Sequence, residues 1–185
     1  MKIVFFGVGA VCSVMATLLD ELSNKSKQKD INFIFVVRNI KKAQAHFFKN
    51  SNVLDKSEFL EIKHIEEIFE DSKKYENYLR NSDIFINSST PSFNLPIMNL
   101  ALKYNTNYAD LASDIYKDEI ISTLKFDQQN LENEFKYKNL FALINLGISP
   151  GITNFLIGEK IHSLKNLPYE VKIKKLEINL LEEIQ

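Results

Sequence analysis

Apolar residues in this chain gather into short, nearly continuous runs separated by longer segments of helical periodicity. Ile3-Val4-Phe5-Phe6, Phe33-Ile34-Phe35-Val36-Val37, Ile84-Phe85-Ile86 and Leu140-Phe141-Ala142-Leu143-Ile144 are apolar at successive positions. A strand with that pattern buries both faces, as in a parallel sheet covered by helices on each side. The predicted strands are Lys2–Phe6, Ile31–Val37, Leu60–Ile65, Asp83–Asn87, Asn107–Leu111 and Leu140–Leu146. Helices are expected over Ala10–Leu22, Lys41–Lys49, a segment capped by Asp71 and running through Tyr75, Tyr78 and Leu79, then Leu95–Lys103 and Lys117–Lys136. A further helix opens after Pro150. Strands alternating with helices in this way predict parallel βαβ units and an α/β, Rossmann-like doubly wound sheet.

Residues 1–165 complete that unit. Beyond it, Tyr169 to Leu181 reads as a strand with apolar Val171, Ile173, Leu176, Ile178 and Leu180. Residues 166–185 are therefore expected to begin a second, incomplete α/β domain, with an edge strand or a helix through Leu176–Ile184 as the alternatives.

The first strand runs into Gly7-Val8-Gly9-Ala10-Val11-Cys12. Gly7 can take the backbone angles of a sharp strand-to-helix turn, and Gly9 lacks a Cβ that would hold the main chain away from a pyrophosphate. The helix that follows aims its N-terminal N–H groups at the phosphates. Cys12 stands where the G-x-G-x-x-G pattern has its third glycine. The uncharged stretch Ile3–Leu19 behind Lys2 also has some character of a secretion signal. The two glycines interrupt its apolar core, however, and no small-residue cleavage site follows.

Composition narrows the function classes. The chain has 185 residues, 45% hydrophobic and 25% charged, with a formal net charge of -1. That balance gives no electrostatic reason to expect nucleic acid or an anionic membrane as partner. A single cysteine excludes an intramolecular disulfide, and His46, His64 and His162 are too scattered to suggest a metal site. The expected compartment is the cytosol.

The tip of the second strand selects the cofactor in such folds: an acidic residue there binds the ribose of NAD, whereas arginine accommodates the 2′-phosphate of NADP. Here the tip is Val37-Arg38-Asn39, followed by Lys41-Lys42, which points to NADP over NAD, or else to a solvated basic loop. Asn87-Ser88-Ser89-Thr90-Pro91 lies where the fourth strand leaves the sheet, at the edge where ligands bind. Ser88, Ser89, Thr90 and Pro91 are thus expected cofactor contacts beside Gly7, Gly9, Ala10 and Val11, though Thr90 or Ser92 could equally serve as a helix cap. Pro150 and Gly151 form a second helix-opening turn at the same edge.

These motifs together resemble the saccharopine dehydrogenase-like oxidoreductases, which include carboxynorspermidine dehydrogenases. Gly7-Val8-Gly9-Ala10-Val11-Cys12-Ser13-Val14 is similar to the G-x-G-G-V-G-S-V opening of that family. Ser89-Thr90-Pro91-Ser92-Phe93-Asn94-Leu95-Pro96, with Asn107-Tyr108-Ala109-Asp110-Leu111-Ala112, is similar to its stretch ending in Tyr-x-Asp-Leu. Gly147-Ile148-Ser149-Pro150-Gly151-Ile152-Thr153-Asn154 resembles its G-x-x-P-G-hydrophobic-T-N motif. Ala10 and Cys12 replace glycines, and Ser149 stands where these enzymes often carry Asp.

The resemblance implies an NAD(P)-dependent oxidoreductase acting on C–N bonds, joining an amine and an aldehyde of amino-acid or polyamine type or reversing that step. It implies a substrate held between this domain and a second one, so the chain reads as an N-terminal half. A homodimer, or a second chain supplying the missing domain, is then the expected assembly. Tyr108, Asp110 and Asn154 are the catalytic candidates in this half. For Asp110, a structural role at the strand end is the competing reading. A catalytically inactive nucleotide- or partner-binding module is the alternative for the whole chain.

Overall fold

The computed structural model describes residues 1–26, 30–47, 51–112, 123–147 and 152–165. Its strands are β1 (Lys2–Phe6), β2 (Asn32–Val37), β3 (Ser57–Glu61), β4 (Ile84–Asn87), β5 (Asn107–Asp110) and β6 (Ala142–Leu143). They form one sheet in the order β3-β2-β1-β4-β5-β6, with every pairing parallel. This is a Rossmann-like, doubly wound α/β fold, and the strand order reverses between β1 and β4. The helices are α1 (Ala10–Ser26), α2 (Ile40–Gln44), α3 (Glu66–Glu70), α4 (Glu76–Leu79), α5 (Asn94–Tyr104), α6 (Thr123–Asn130), α7 (Glu132–Tyr137) and α8 (Ile152–Lys165).

Alternation along the central strands divides the core into two layers. Ile3, Phe5, Phe33, Phe35, Val37 and Ile86 face Cys12 and Ala16 of α1 and Ala43 of α2. Val4, Phe6, Ile34, Val36 and Phe85 face Ile68 of α3, Leu79 of α4, Ile97 and Met98 of α5 and Phe135 of α7. Phe5, Phe6, Phe33, Phe35 and Phe85 are fully buried, and each such burial contributes about 1.5–3 kcal/mol.

The α1 helix packs with its small and polar side inward. Cys12, Ser13, Ala16, Asp20 and Ser23 are buried, while Val11, Val14, Leu18 and Leu22 are 43–61% exposed. The stacked rings of Phe5, Phe33 and Phe35 fill the layer beneath, so only small side chains let the helix approach. Asp20 is held there by Lys56 Nζ at 2.9 Å.

Several element bounds differ from the sequence expectation. The third strand lies at Ser57–Glu61 rather than Leu60–Ile65, and α2 ends at Gln44. Asp71 makes no side-chain cap; the chain there runs through a 3-10 turn, Ser72–Tyr75, into the short α4, and α3 precedes it. The expected helix Lys117–Lys136 is divided at Leu131 between α6 and α7, and residues 113–122 lie outside the described residues. The sixth strand is two residues long. Asn145 takes φ 61°, so the backbone leaves the extended region, and its N–H turns to the Asp110 carboxylate instead of the ladder. The segment 166–185, and with it the expected second domain, lies outside the described residues.

The α5 helix shows how local sequence sets its ends. Pro96 sits in the first turn, where its missing N–H costs no intrahelical bond. Asn105 ends the helix in the left-handed region at φ 52°, a position asparagine tolerates in place of glycine.

Candidate functional site

The carboxyl ends of β1 and β4 meet at the reversal of strand order, with that of β5 next to β4. Gly7 leaves β1 with φ 91°, a conformation that strains any side chain. Its N–H donates to Val36 O at 2.9 Å, and its carbonyl accepts from Ser88 Oγ at 2.8 Å. A Cβ on Gly7 would meet the Cβ of Ser89 at 2.7 Å, whereas a Cβ on Gly9 would meet nothing within 4 Å. The backbone is therefore closed on the Ser89 side at Gly7 and open at Gly9, and the open face is where a pyrophosphate could approach. The first bond of the α1 ladder is Ser13 N–H to Gly9 O at 3.0 Å. The N–H groups of Ala10, Val11 and Cys12 precede that ladder at the positive end of a 17-residue helix with no acidic residue in its first turn. This geometry fits a dinucleotide phosphate.

Cys12 is buried under the turn. Burial pushes its thiol up to about 12, with the neighbouring Ser88 acting in the opposite direction. It stays a thiol and packs beside Ala16, which is the helix–strand packing role of the third fingerprint position.

Arg38 is exposed just beyond β2 and makes no ion pair with a described residue. Beside it, Asn39 caps α2 by accepting from Lys42 N–H. Glu61, paired in register with Val37, accepts from Ile40 N–H at 2.9 Å. A carboxylate thus shares the strand ends with the Arg38 guanidinium.

The loop after β4 is ordered from beneath by Asn87. Its Oδ1 accepts from Ser89 N–H at 3.0 Å and Ser89 Oγ at 2.7 Å. Its Nδ2 donates to Thr90 O at 3.0 Å and to Asn94 Oδ1 at 2.6 Å. Ser89 and Thr90 are exposed, and Ser88 and Pro91 half-buried. Thr90 Oγ1 pairs with Ser92 Oγ at 2.8 Å, so neither hydroxyl caps a helix.

Tyr108 and Asp110 on β5 are fully buried and bonded to each other, Tyr108 Oη donating to Asp110 Oδ2 at 3.0 Å. Gln128 Nε2 donates to the same oxygen at 2.6 Å, and Asn145 N–H to Oδ1 at 2.8 Å. Burial raises the Asp110 pKa, opposed by the donors Asn145, Gln128 and Tyr108. The Tyr108 phenol is held protonated by burial first, then by the neighbouring Asp110 charge and hydrogen bond. Neither side chain reaches solvent, and the pair is tied through Asp110 to Gln128 and to the backbone of Asn145.

Of the residues expected from sequence, Gly7, Gly9, Ala10, Val11, Ser88, Ser89, Thr90 and Pro91 come together around the β1 and β4 ends, with Arg38 at the end of β2. Pro150 and Gly151 lie outside the described residues, and Asn154 falls in the first turn of α8. Asn94 and Gln128 were not anticipated. Gln128 does carry a signal: with Leu124, Leu131 and Phe135 it continues a helical stripe in which it is the one polar member. No group of three or more His, Cys, Asp or Glu among the described residues could hold a metal, and no helix among them is long and apolar enough to cross a membrane.

Residues 3–143 match the sequence profile of the saccharopine dehydrogenase NADP binding domain. No curated protein matches the sequence. Among solved structures, the apo saccharopine dehydrogenase (L-Glu forming) of Saccharomyces cerevisiae is similar at 19% identity and a TM-score of 0.58, over 89% of this chain and 31% of that one. The homospermidine synthase of Legionella pneumophila, in complex with NAD, is similar at 16% identity and a TM-score of 0.61, over 92% of this chain and 35% of that one. At these identities the likeness is one of fold. The chain spans about a third of the length of either protein.

Proposed function

Since the chain belongs to the saccharopine dehydrogenase NADP binding domain family, we propose that it binds NADP(H) and serves an oxidoreductase step at a C–N bond of an amino-acid or polyamine-type substrate. The observation that carries the dinucleotide reading is the turn itself, closed against Ser89 at Gly7 and open at Gly9. In this reading the pyrophosphate lies over Gly9 and the N–H groups of Ala10 and Val11. Arg38 takes the 2′-phosphate through its planar, permanently charged fork. Ser88, Ser89, Thr90 and Pro91 border the nicotinamide half, with Pro150, Gly151 and Asn154 completing that edge. The bound nicotinamide would supply or accept the hydride; the protein orients it and excludes water. Tyr108 and Asp110 serve as positioning residues in this scheme, since both are buried. In this reading, substrate contacts come largely from a second domain, in a homodimer or with a second chain.

A second reading, NAD as cofactor, is favoured by Glu61, whose carboxylate accepts from Ile40 N–H at the same strand ends and would repel a 2′-phosphate. The homospermidine synthase that shares the fold was solved with NAD. Calorimetric titration of the purified chain with NADPH and NADH decides between them. Saturable NADPH binding, tighter than NADH by about tenfold or more, is expected from a charge-assisted phosphate contact. Tighter NADH binding would select the second reading, and no heat from either nucleotide would overturn both.

A further inference from the structure

Beneath the carboxyl edge runs a chain of buried polar side chains that links loops lying far apart in sequence. Asn87 holds Ser89 through two bonds to its Oδ1 and passes its Nδ2 to Asn94. Asn94 Nδ2 donates to Ala112 O at 2.9 Å and reaches Gln128 Oε1 at 3.5 Å. Gln128 Nε2 continues to Asp110, and Asp110 takes the backbone N–H of Asn145. Asn87, Asn94, Gln128 and Asp110 are all buried. The relay therefore joins the loop after β4, the first turn of α5, the last turn of α6, the end of β5 and the loop after β6.

Such a relay is an expensive way to fill a core. Each amide and carboxylate loses its water and must recover every bond inside the protein, whereas apolar side chains of the same volume would pack there without that requirement. What hydrogen bonds add is direction: they set the distance and angle between the loops they join. Both joined loops stand on the β4–β6 half of the sheet. In a doubly wound fold that half receives one mononucleotide of the pair, while β1–β3, with Arg38 at the tip of β2, receives the adenosine half.

We infer that Asn87, Asn94 and Gln128 are positioning residues that hold the loops after β4 and β6 at the spacing the nicotinamide half of the dinucleotide requires. They act through Ser89 and Asn145 without touching the cofactor. This rests on the dinucleotide-binding reading above, and it goes further by dividing the site into two halves that separate residues support.

The test compares the wild-type chain with Gln128→Met, which keeps the volume and removes the bonds to Asp110 and Asn94. Asn94→Ser serves as a second variant should Gln128→Met fail to fold. Each is titrated with the dinucleotide the wild type prefers and with its adenosine half alone, 2′,5′-ADP for NADPH or ADP for NADH. Circular dichroism checks that the fold is kept. The relay predicts that dinucleotide affinity falls by about tenfold, the equivalent of a lost buried hydrogen bond, while affinity for the adenosine half is unchanged. A variant that loses both affinities in parallel has only a structural defect, and one that keeps wild-type affinity for the dinucleotide needs no relay; either result overturns the inference alone. A wild type that binds neither ligand overturns the dinucleotide reading and the inference together.

Discussion

Gly7 and Ser89 face each other so closely that a Cβ on the glycine would stand 2.7 Å from the Cβ of the serine. The contact joins the end of β1 to the loop after β4 at the point where the strand order reverses, and it explains why two glycines two residues apart have different duties. Gly7 is required by the fold, through φ 91° and the wall made by Ser89. Gly9 has open space above it, and under the proposed dinucleotide binding that space is where the pyrophosphate would lie.

Substitution should separate these duties. Gly7→Ala strains a left-handed residue, at about 1–3 kcal/mol, and adds a clash with Ser89 that no rotamer relieves. Its midpoint in urea should fall clearly. Gly9→Ala should unfold like the wild type yet bind dinucleotide more weakly, because its methyl group lies in the path of the pyrophosphate. Equal unfolding midpoints for both variants would contradict this division.

At the tip of β2, Arg38→Ala should weaken NADPH binding by about tenfold or more while leaving NADH unchanged, as loss of a charge-assisted bond to one phosphate implies. Glu61→Gln, which keeps an acceptor for Ile40 N–H and removes the charge, should shift preference further towards NADPH. Calorimetry on the four combinations reads both effects. A parallel loss of both nucleotides in Arg38→Ala would remove Arg38 from cofactor selection.

Asp110 supplies a pH signature. Its pKa is raised in the folded chain above the ordinary 3.8, chiefly by burial. The native state then holds more protons than the unfolded state from that value up to the raised one, so this group's stabilising contribution is full below the window and is lost as pH rises through it. Asp110→Asn cannot titrate. Urea unfolding across the acidic range should therefore show the wild type losing ground to the variant as pH rises from about 4. A wild type that gains ground instead would mean that the three hydrogen-bond donors outweigh burial.

The α1 helix predicts an unusual pair of outcomes. Leu18 lies on the exposed side and Ala16 on the side facing the stacked phenylalanines. Leu18→Lys should leave stability within about 0.5 kcal/mol, as for a surface position. Ala16→Leu should cost about 1–3 kcal/mol by overpacking. Thermal unfolding of the two variants distinguishes this packing from the opposite one, in which the leucine change would be the damaging one.

The elements that meet at the carboxyl edge of the sheet were legible in the chain. The glycine turn, Arg38 and the Ser88–Pro91 loop were identifiable because each depends on local chemistry: a backbone angle, a charge at a strand tip, small residues where a strand leaves the sheet. Asn94 and Gln128 were not, since their hydrogen-bond partners lie 7 to 34 residues away in the chain. Gln128 stood out only as a polar residue on an apolar stripe, a pattern that an exposed glutamine would also produce.

By itself, the sequence determined the alternation of buried strands and helices, and hence the parallel sheet, because apolar runs on both faces of a strand permit few other ways to be buried. It could not determine which side of α1 faces inward, where the sixth strand stops, or whether Tyr108 and Asp110 are open to a ligand. Those were decided by tertiary packing: the stacked phenylalanine rings leave room only for small side chains, and the Asp110 carboxylate draws Asn145 out of the strand. Both effects arise between residues that become neighbours only once the sheet has formed.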